Sequence, residues 1–214
     1  NYLIENEPPG LHLLISTRID PPLALARLRA RGMLAELRTT ELRFTEEEIH
    51  LWLSQTNPQI SSEQVHALSE KTEGWAASLQ LALYSIADKD ADSADRFITN
   101  LSGSHYLIFD YLMSEVFNRQ PFVIQQFLLY TSVLDQMNAS MCNALLGRKD
   151  SQEMLAYLVR ENLFITCLDE SREWHRYHHL FREFLLDKLW REMPEQALEL
   201  ERTAGRNCES QGNL

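Results

Sequence analysis

The spacing of apolar residues divides the chain into three blocks, of which the first predicts an α/β unit. The continuous apolar run at residues 11–15 is typical of a buried parallel strand. Two prolines at 21–22 precede a Leu/Ala/Arg stretch at 23–31, which predicts a helix with proline in its first turn. Residues 34–44 predict a second extended segment. We interpret residues 1–44 as the C-terminal part of an α/β domain.

The second block, residues 45–103, is predicted to be a small helical domain. Its first two helices begin at capping boxes that start at Thr45 and Ser61, in which a hydroxyl and a downstream carboxylate or amide satisfy backbone N–H groups reciprocally. A third helix is predicted at about 75–87. The acidic, polar stretch 88–95 is typical of a mobile linker.

The third block, residues 104–192, is predicted to be a winged helix domain with one preceding helix. The apolar period indicates helices near 104–118, 121–132, 138–146 and 151–161, strands within 163–168 and 174–177, and a long helix at 179–192. Another helix begins after Pro194, and we interpret 193–214 as the start of a helical-repeat region. The predicted fold class is mainly α.

Charge and glycine content limit what this chain does by itself. Lys and Arg number 20 against 31 Asp and Glu, for a net charge of −11, which is opposite to the balance expected of a nucleic-acid binder. The third helix of the predicted winged helix carries Glu153 and Glu161 against Arg160, which argues against base reading. The 7 glycines are never close together, so a phosphate-binding glycine-rich loop is excluded. We expect no catalytic residues and no enzyme activity in this chain.

Cysteine usage and hydropathy predict a cytoplasmic protein that does not enter membranes. The 3 cysteines are widely spaced, which indicates reduced thiols. No apolar run approaches the length of about 18 residues that a spanning helix needs.

Three segments of the chain form a recognisable set. They are the run from Ile15 to Gly32, the run Thr72-Glu-Gly-Trp-Ala-Ala-Ser-Leu-Gln-Leu-Ala, and the run Tyr177-His-His-Leu-Phe-Arg-Glu-Phe-Leu. In the family's order, they resemble the large ATP-dependent LuxR-type transcriptional regulators, the maltose-activator-like class of signal-transduction ATPases. The resemblance covers nearly the whole chain, which would be an internal piece of such a regulator.

The resemblance implies partners and cofactors for the whole protein. ATP or ADP with Mg²⁺ would bind the full-length protein but not this piece tightly, because the P-loop lysine and the Mg²⁺ carboxylate lie outside it. The whole protein would self-associate, sense a small-molecule or protein inducer through downstream repeats, and bind promoter DNA through a C-terminal helix-turn-helix.

Arg18 is the first residue that the resemblance assigns to the nucleotide. It follows the predicted strand at its carboxyl end, where ligands of open α/β sheets bind. The resemblance implies contact with the terminal phosphate, and a guanidinium suits that role because its N–H groups fork onto phosphate oxygens. The alternative is an ion pair with Asp20 at the sheet edge.

Gly74 and Trp75 lie where relatives often have a Gly-x-Pro turn that contacts the nucleotide. The proline is replaced here. The alternative is that Gly74 is a loop residue at a helix start and Trp75 anchors the core.

His178 matches the histidine of the Met-His-Asp motif in related winged helices, where it approaches the β-phosphate of ADP and helps lock the closed state. A histidine at a helix N-terminus suits this role, because the helix end favours an anion. The local triplet is Tyr177-His178-His179, so the aspartate is missing. His175 is also close, but Cys167 is the nearby soft ligand and no second ligand pair is visible, so we predict no metal site.

These features predict the nucleotide-state-sensing segment of a LuxR-family regulator, which couples ATP or ADP binding to oligomerisation and promoter activation. The alternative is a non-catalytic helical scaffold whose nucleotide site has degenerated. The replaced proline and the missing aspartate favour the alternative.

Overall fold

The computed structural model describes residue 10 and residues 12–17, 19–56, 60–86 and 91–211. Helices dominate these residues, which confirms the mainly α fold class. The elements are α1 (Leu25–Ala30), α2 (Glu46–Thr56), α3 (Ser62–Thr72), α4 (Ala76–Ile86), α5 (Ala91–Thr99), α6 (Tyr106–Tyr111), the π-helix π1 (Leu112–Phe117), α7 (Phe122–Thr131), α8 (Ala139–Leu146), α9 (Ser151–Arg160), β1 (Ile165–Cys167), β2 (His175–Tyr177), α10 (His179–Glu192) and α11 (Pro194–Gln211).

Both predicted capping boxes form. The Thr45 N–H donates to Glu48 Oε2 at 2.9 Å and the Glu48 N–H donates to Thr45 Oγ1 at 3.3 Å, immediately before α2. The same reciprocal pair joins Ser61 and Gln64 at the start of α3, at 3.0 and 3.2 Å. These bonds satisfy N–H groups that the first helical turn leaves open, so both helices begin where the sequence predicts.

Helices α7, α8 and α9 and the hairpin β1–β2 build the predicted winged helix. The strands pair antiparallel, with Ile165 opposite Tyr177 and Cys167 opposite His175. The side chains of His175 and Tyr177 are buried, and the Tyr177 hydroxyl lies 2.7 Å from the hydroxyl of Thr131 on α7. This buried hydrogen bond ties the hairpin to the helices.

Helix α10 is the centre of one continuous hydrophobic core that joins the helical domain to the winged helix. Its buried side chains include Phe181, Phe184 and Leu185. The Phe184 ring packs edge-on against Phe109 of α6, with 4.9 Å between ring centroids, and against Phe117 of π1, at 6.0 Å. Burial of this apolar surface therefore stabilises both units together.

The predicted helix at 104–118 changes its winding halfway. It is α-helical to Tyr111 and then π-helical. In the π-helical part, the buried residues Val116 and Phe117 follow the buried Leu112 by four and five positions. A π turn matches this spacing, because its hydrogen bonds run from residue i to i+5.

The two strand predictions of the first block are wrong within the described residues. Residues 12–17 form no strand, and the Leu14 side chain is 96% exposed. Residues 34–44 are also irregular, whereas the helix predicted at 23–31 appears as α1. A strand is stable only when it is paired, and no described segment pairs with either run. Residue 11 lies outside the described residues.

The linker prediction is corrected in its second half. Residues 91–95 begin helix α5, while 88–90 lie outside the described residues. Ala94 of this stretch and Ile98, one helical turn later, form an apolar pair that is buried in the core. Lys71 donates from Nζ to the Thr99 carbonyl at 2.8 Å and so satisfies the C-terminal end of the helix. The boundaries proposed between the domains remain predictions.

None of the helices in the described ranges is long and apolar enough to cross a lipid bilayer.

We predict that Gly103→Ala destabilises the chain by about 1 to 3 kcal/mol or more. A Cβ on Gly103 would lie 1.9 Å from the Leu180 carbonyl oxygen of α10, and neither backbone can yield easily. Urea denaturation should show a lower midpoint. Gly205→Ala, within α11 and open to solvent, is the matched control and should raise stability by about 0.5 to 1 kcal/mol. Equal effects of the two substitutions would contradict the proposed close packing at Gly103.

Candidate functional site

The turn between α3 and α4 packs against the start of α10, and this junction brings together three of the four predicted site residues. Trp75 lies edge-on to His178, with 5.8 Å between ring centroids, and to Phe164, at 4.6 Å. Gly74 directly precedes Trp75 in the same turn. The structure thus places Gly74, Trp75 and His178 in one cluster, with Trp75 among the aromatic residues that line the core.

The fourth predicted residue, Arg18, lies outside the described residues. Its contact with a phosphate stays a prediction. Asp20, the alternative partner suggested by the sequence, makes an ion pair with Arg38.

The backbone of the turn requires its glycine. Glu73 and Gly74 both have left-handed backbone angles, with φ of 46° and 69°. The Phe44 N–H donates to the Gly74 carbonyl at 2.8 Å, and a Cβ on Gly74 would lie 2.3 Å from the Phe44 oxygen. Because the backbone of Phe44 lies this close, position 74 has no room for a side chain.

Glu73 accepts most of the polar contacts at the junction, and this role was not predicted from the sequence. Arg176 binds its carboxylate with both terminal nitrogens, from Nη1 to Oε1 at 2.9 Å and from Nη2 to Oε2 at 3.0 Å. Arg43 Nη1 donates to Oε2 at 3.0 Å, and the His179 backbone N–H donates to Oε1 at 3.2 Å. The carboxylate thereby joins three segments that are far apart in the sequence.

A sequence signal for this pair exists but is weak. Glu73 directly precedes the required Gly74, and Arg176 lies between His175 and Tyr177, which both point into the core. Because side chains alternate along a strand, Arg176 must point to the other face of the hairpin. That alternation identifies its direction but not its partner.

The electrostatics of Glu73 favour a permanent negative charge. Burial by itself raises the pKa of Glu73. The hydrogen bond from Arg176, the charge that His178 gains in acid, the hydrogen bond from the His179 N–H and the arginine charge overcome this and lower the pKa to about 2. Its side chain is 13% exposed. A bidentate, half-buried pair of this kind is much stronger than an exposed ion pair.

His178 is buried and neutral at physiological pH. Its Nε2 lies 2.9 Å from the Thr72 carbonyl oxygen, and because a carbonyl only accepts, Nε2 carries the proton. Burial lowers the pKa of His178 to about 4, although the charge of Glu73 opposes this. No described residue is a hydrogen-bond partner of Nδ1, which is also buried. In this state the free edge of the ring offers a lone pair and not a donor.

The cluster of histidines does not assemble a metal site within the part of the chain that the structure describes. The His175 Nδ1 lies 3.1 Å from the Glu173 carbonyl oxygen, while His178 contacts Thr72. No group of three His, Cys, Asp or Glu side chains in the described ranges is arranged to hold an ion.

Comparison with known proteins identifies the winged helix. Residues 113–197 match the family model described as the MalT winged helix domain. Nearly the whole chain is also similar to curated HTH-type transcriptional regulators named MalT. The regulator of Vibrio cholerae is 30% identical over 206 residues, which are 96% of this chain and 23% of the relative.

Two further relatives give the same result. The MalT regulator of Serratia proteamaculans is 34% identical over 203 residues, which are 93% of this chain and 22% of the relative. That of Klebsiella pneumoniae is 30% identical over 215 residues, which are 99% of this chain and 24% of the relative. The chain thus spans about a quarter of the length of the curated relatives it matches, and the resemblance to maltose-activator-like regulators is confirmed.

We predict that His178 makes the chain less stable in mild acid. The unfolded chain binds a proton near the ordinary histidine pKa of 6.5, whereas folded His178 binds it only near 4. The free energy of unfolding should therefore fall as pH drops through this window, by on the order of 2 to 3 kcal/mol.

His178→Gln keeps an N–H donor for Thr72 and should flatten this slope, with part of it remaining because burial also lowers the pKa of His175. Urea denaturation across the pH range would measure both curves. His66→Gln is the control with the opposite sign. A hydrogen bond to Glu46 raises the pKa of the exposed His66, so its loss steepens the slope. An unchanged slope in His178→Gln would rule out this role.

A second step is predicted at lower pH from Glu73. Its pKa is depressed from 4.5 to about 2, so its stabilisation is complete above 4.5 and is lost as pH falls toward 2. Glu73→Gln should remove this step and lower the stability at pH 7 by on the order of 2 to 3 kcal/mol. The exposed Glu70 of the same helix is the matched control, because Glu70→Gln should leave the curve nearly unchanged. Superimposable curves for the two variants would contradict the assignment.

Proposed function

Residues 113–197 of this chain belong to the MalT winged helix domain family, and on that premise we propose that the chain is the regulatory segment of a transcriptional regulator whose activity depends on its nucleotide state. The observation that carries the proposal is the junction of Glu73, Arg176 and His178. There the winged helix docks on the helical domain, at the residues whose sequence resembles nucleotide-contacting motifs. Both units also share one hydrophobic core, so the junction is a direct physical connection between them.

The described residues fit a phosphate group only in part. Arg176, Arg43 and the His179 N–H converge at the start of α10, and such donors suit phosphate oxygens. The carboxylate of Glu73 holds these donors, and His178 has a lone pair at Nδ1. A phosphate would meet these groups favourably only if Glu73 moved aside or His178 gained a proton. ATP or ADP with Mg²⁺ therefore enters the proposal as a ligand of the whole regulator, with Arg18 and His178 on its phosphate side and with Gly74 and Trp75 as contacts from the helical domain.

The partners proposed for the whole regulator are a second copy of the protein, an inducer and promoter DNA. We assign none of these to the winged helix of this chain. Helix α9 carries Glu153 and Arg160, and Arg160 is paired with Glu161, the residue that ends the helix, with 3.1 Å between Nε and Oε1. A DNA-reading helix needs free cationic side chains. The relatives are named as HTH-type regulators, so we propose that a helix-turn-helix outside this chain contacts promoter DNA.

One observation favours the alternative of a helical scaffold with a degenerate nucleotide site. The ring of His178 is part of the core: it is 3% exposed, its Nε2 is bonded to Thr72, and it packs against Trp75. The two functions differ in whether His178 affects nucleotide release.

We predict that His178→Ala in the full-length protein weakens ADP retention and raises basal promoter activity. The substitution removes the ring that would face the phosphate. It also removes the hydrogen bond to Thr72, so the contact between the winged helix and the helical domain is weakened as well. The release rate of bound ADP and transcription without inducer would measure the effect.

His66→Ala, at an exposed histidine outside the junction, is the control and should leave both quantities unchanged. Unchanged ADP release in His178→Ala would exclude the nucleotide role and favour the scaffold.

A further inference from the structure

We propose that Glu73 is a conformational latch. By this we mean that the start of α10 has its carboxylate acceptor only when the winged helix is docked on the helical domain. The hydrogen bonds of Glu73 form without a nucleotide, so this role is independent of the proposed function and has a separate test.

The start of α10 lacks a cap of its own. The residue at its N-cap, His178, makes no capping bond with its side chain, and the first turn contains no acidic residue. The first turn of any helix has N–H groups without intrahelical acceptors and a partial positive charge. A helix of 14 residues in the middle of the core therefore needs an acceptor from elsewhere.

Glu73 supplies that acceptor from the helical domain. Its Oε1 accepts the His179 N–H at 3.2 Å, across 106 positions of sequence. The same oxygen accepts Arg176 Nη1 at 2.9 Å, so the carboxylate holds the end of β2 and the start of α10 at once. Both elements belong to the winged helix, and the carboxylate belongs to the turn after α3.

The backbone of the turn prevents Glu73 from moving alone. Glu73 is the C-cap of α3 and has a left-handed conformation, and Gly74 is pressed against Phe44. Withdrawing the carboxylate would disturb the bonds from Phe44 to Gly74 and from His178 to Thr72. It would also leave the guanidinium groups of Arg43 and Arg176 without their shared counter-charge. These bonds should therefore open as one unit.

Amide hydrogen exchange of the intact protein tests this unit. In Glu73→Gln, the first-turn amides of α10 at 179–181 and the amides of Phe44 and Trp75 should exchange faster together. A charge-assisted hydrogen-bond network of this kind suggests a factor of about ten or more. The matched control Glu70→Gln changes an exposed carboxylate in the same helix and should leave all of these rates unchanged.

A second variant separates latching from simple capping. Glu73→Gln/His179→Asp places a carboxylate within the first turn of α10, where it can stabilise the helix end locally. The latch predicts that protection returns at 180–181 but not at Phe44 and Trp75. Recovery of both segments, or an effect of Glu73→Gln confined to α10, would overturn the proposal, because the cap would then not depend on the helical domain.

Arg43→Gln provides the test if Glu73→Gln does not fold. Arg43 is partly exposed and donates one hydrogen bond to Glu73, so its loss is milder. The two segments should again exchange faster in parallel, by a smaller factor. Faster exchange at Phe44 alone would contradict the latch.

Discussion

The first N–H group of α10, that of His179, takes its acceptor from a distant part of the sequence, and the other polar contacts of the junction meet at that same carboxylate. Glu73 supplies this carboxylate, which is largely removed from water. A carboxylate in that position must be balanced, and Arg176 and Arg43 balance it. The hairpin and the residues before α2 are thereby drawn to the same point.

The hydrophobic core and the polar junction make different contributions to this fold. The core runs without interruption from the helical domain through α6 and π1 to α10, and it supplies most of the stabilisation. Apolar burial has little directional preference, so it does not by itself select one orientation of the two units. The hydrogen bonds of Glu73 and His178 have fixed geometry and select the observed one.

The winged helix of this chain uses its hairpin for a contact within the molecule, and a fold by itself does not determine a function. Its third helix carries one glutamate and one arginine, and Arg176 of its hairpin binds Glu73 in the turn after α3. The histidine at its centre is neutral, because the hydrophobic surroundings that bury it disfavour the charged form.

Local chemistry in the sequence determined the helices and the hairpin, whereas long-range contacts decided the site. The capping boxes at Thr45 and Ser61 and the apolar period of the third block are properties of neighbouring residues, and the elements they predict are present. The strand predicted at 11–15 failed within the described residues, because a strand depends on partners elsewhere in the chain. The bond between Glu73 and Arg176 spans 103 positions, and no local pattern encodes it. Only the folded chain brings that carboxylate to the open helix end, because the end of a helix accepts an anion from any segment that packing places there.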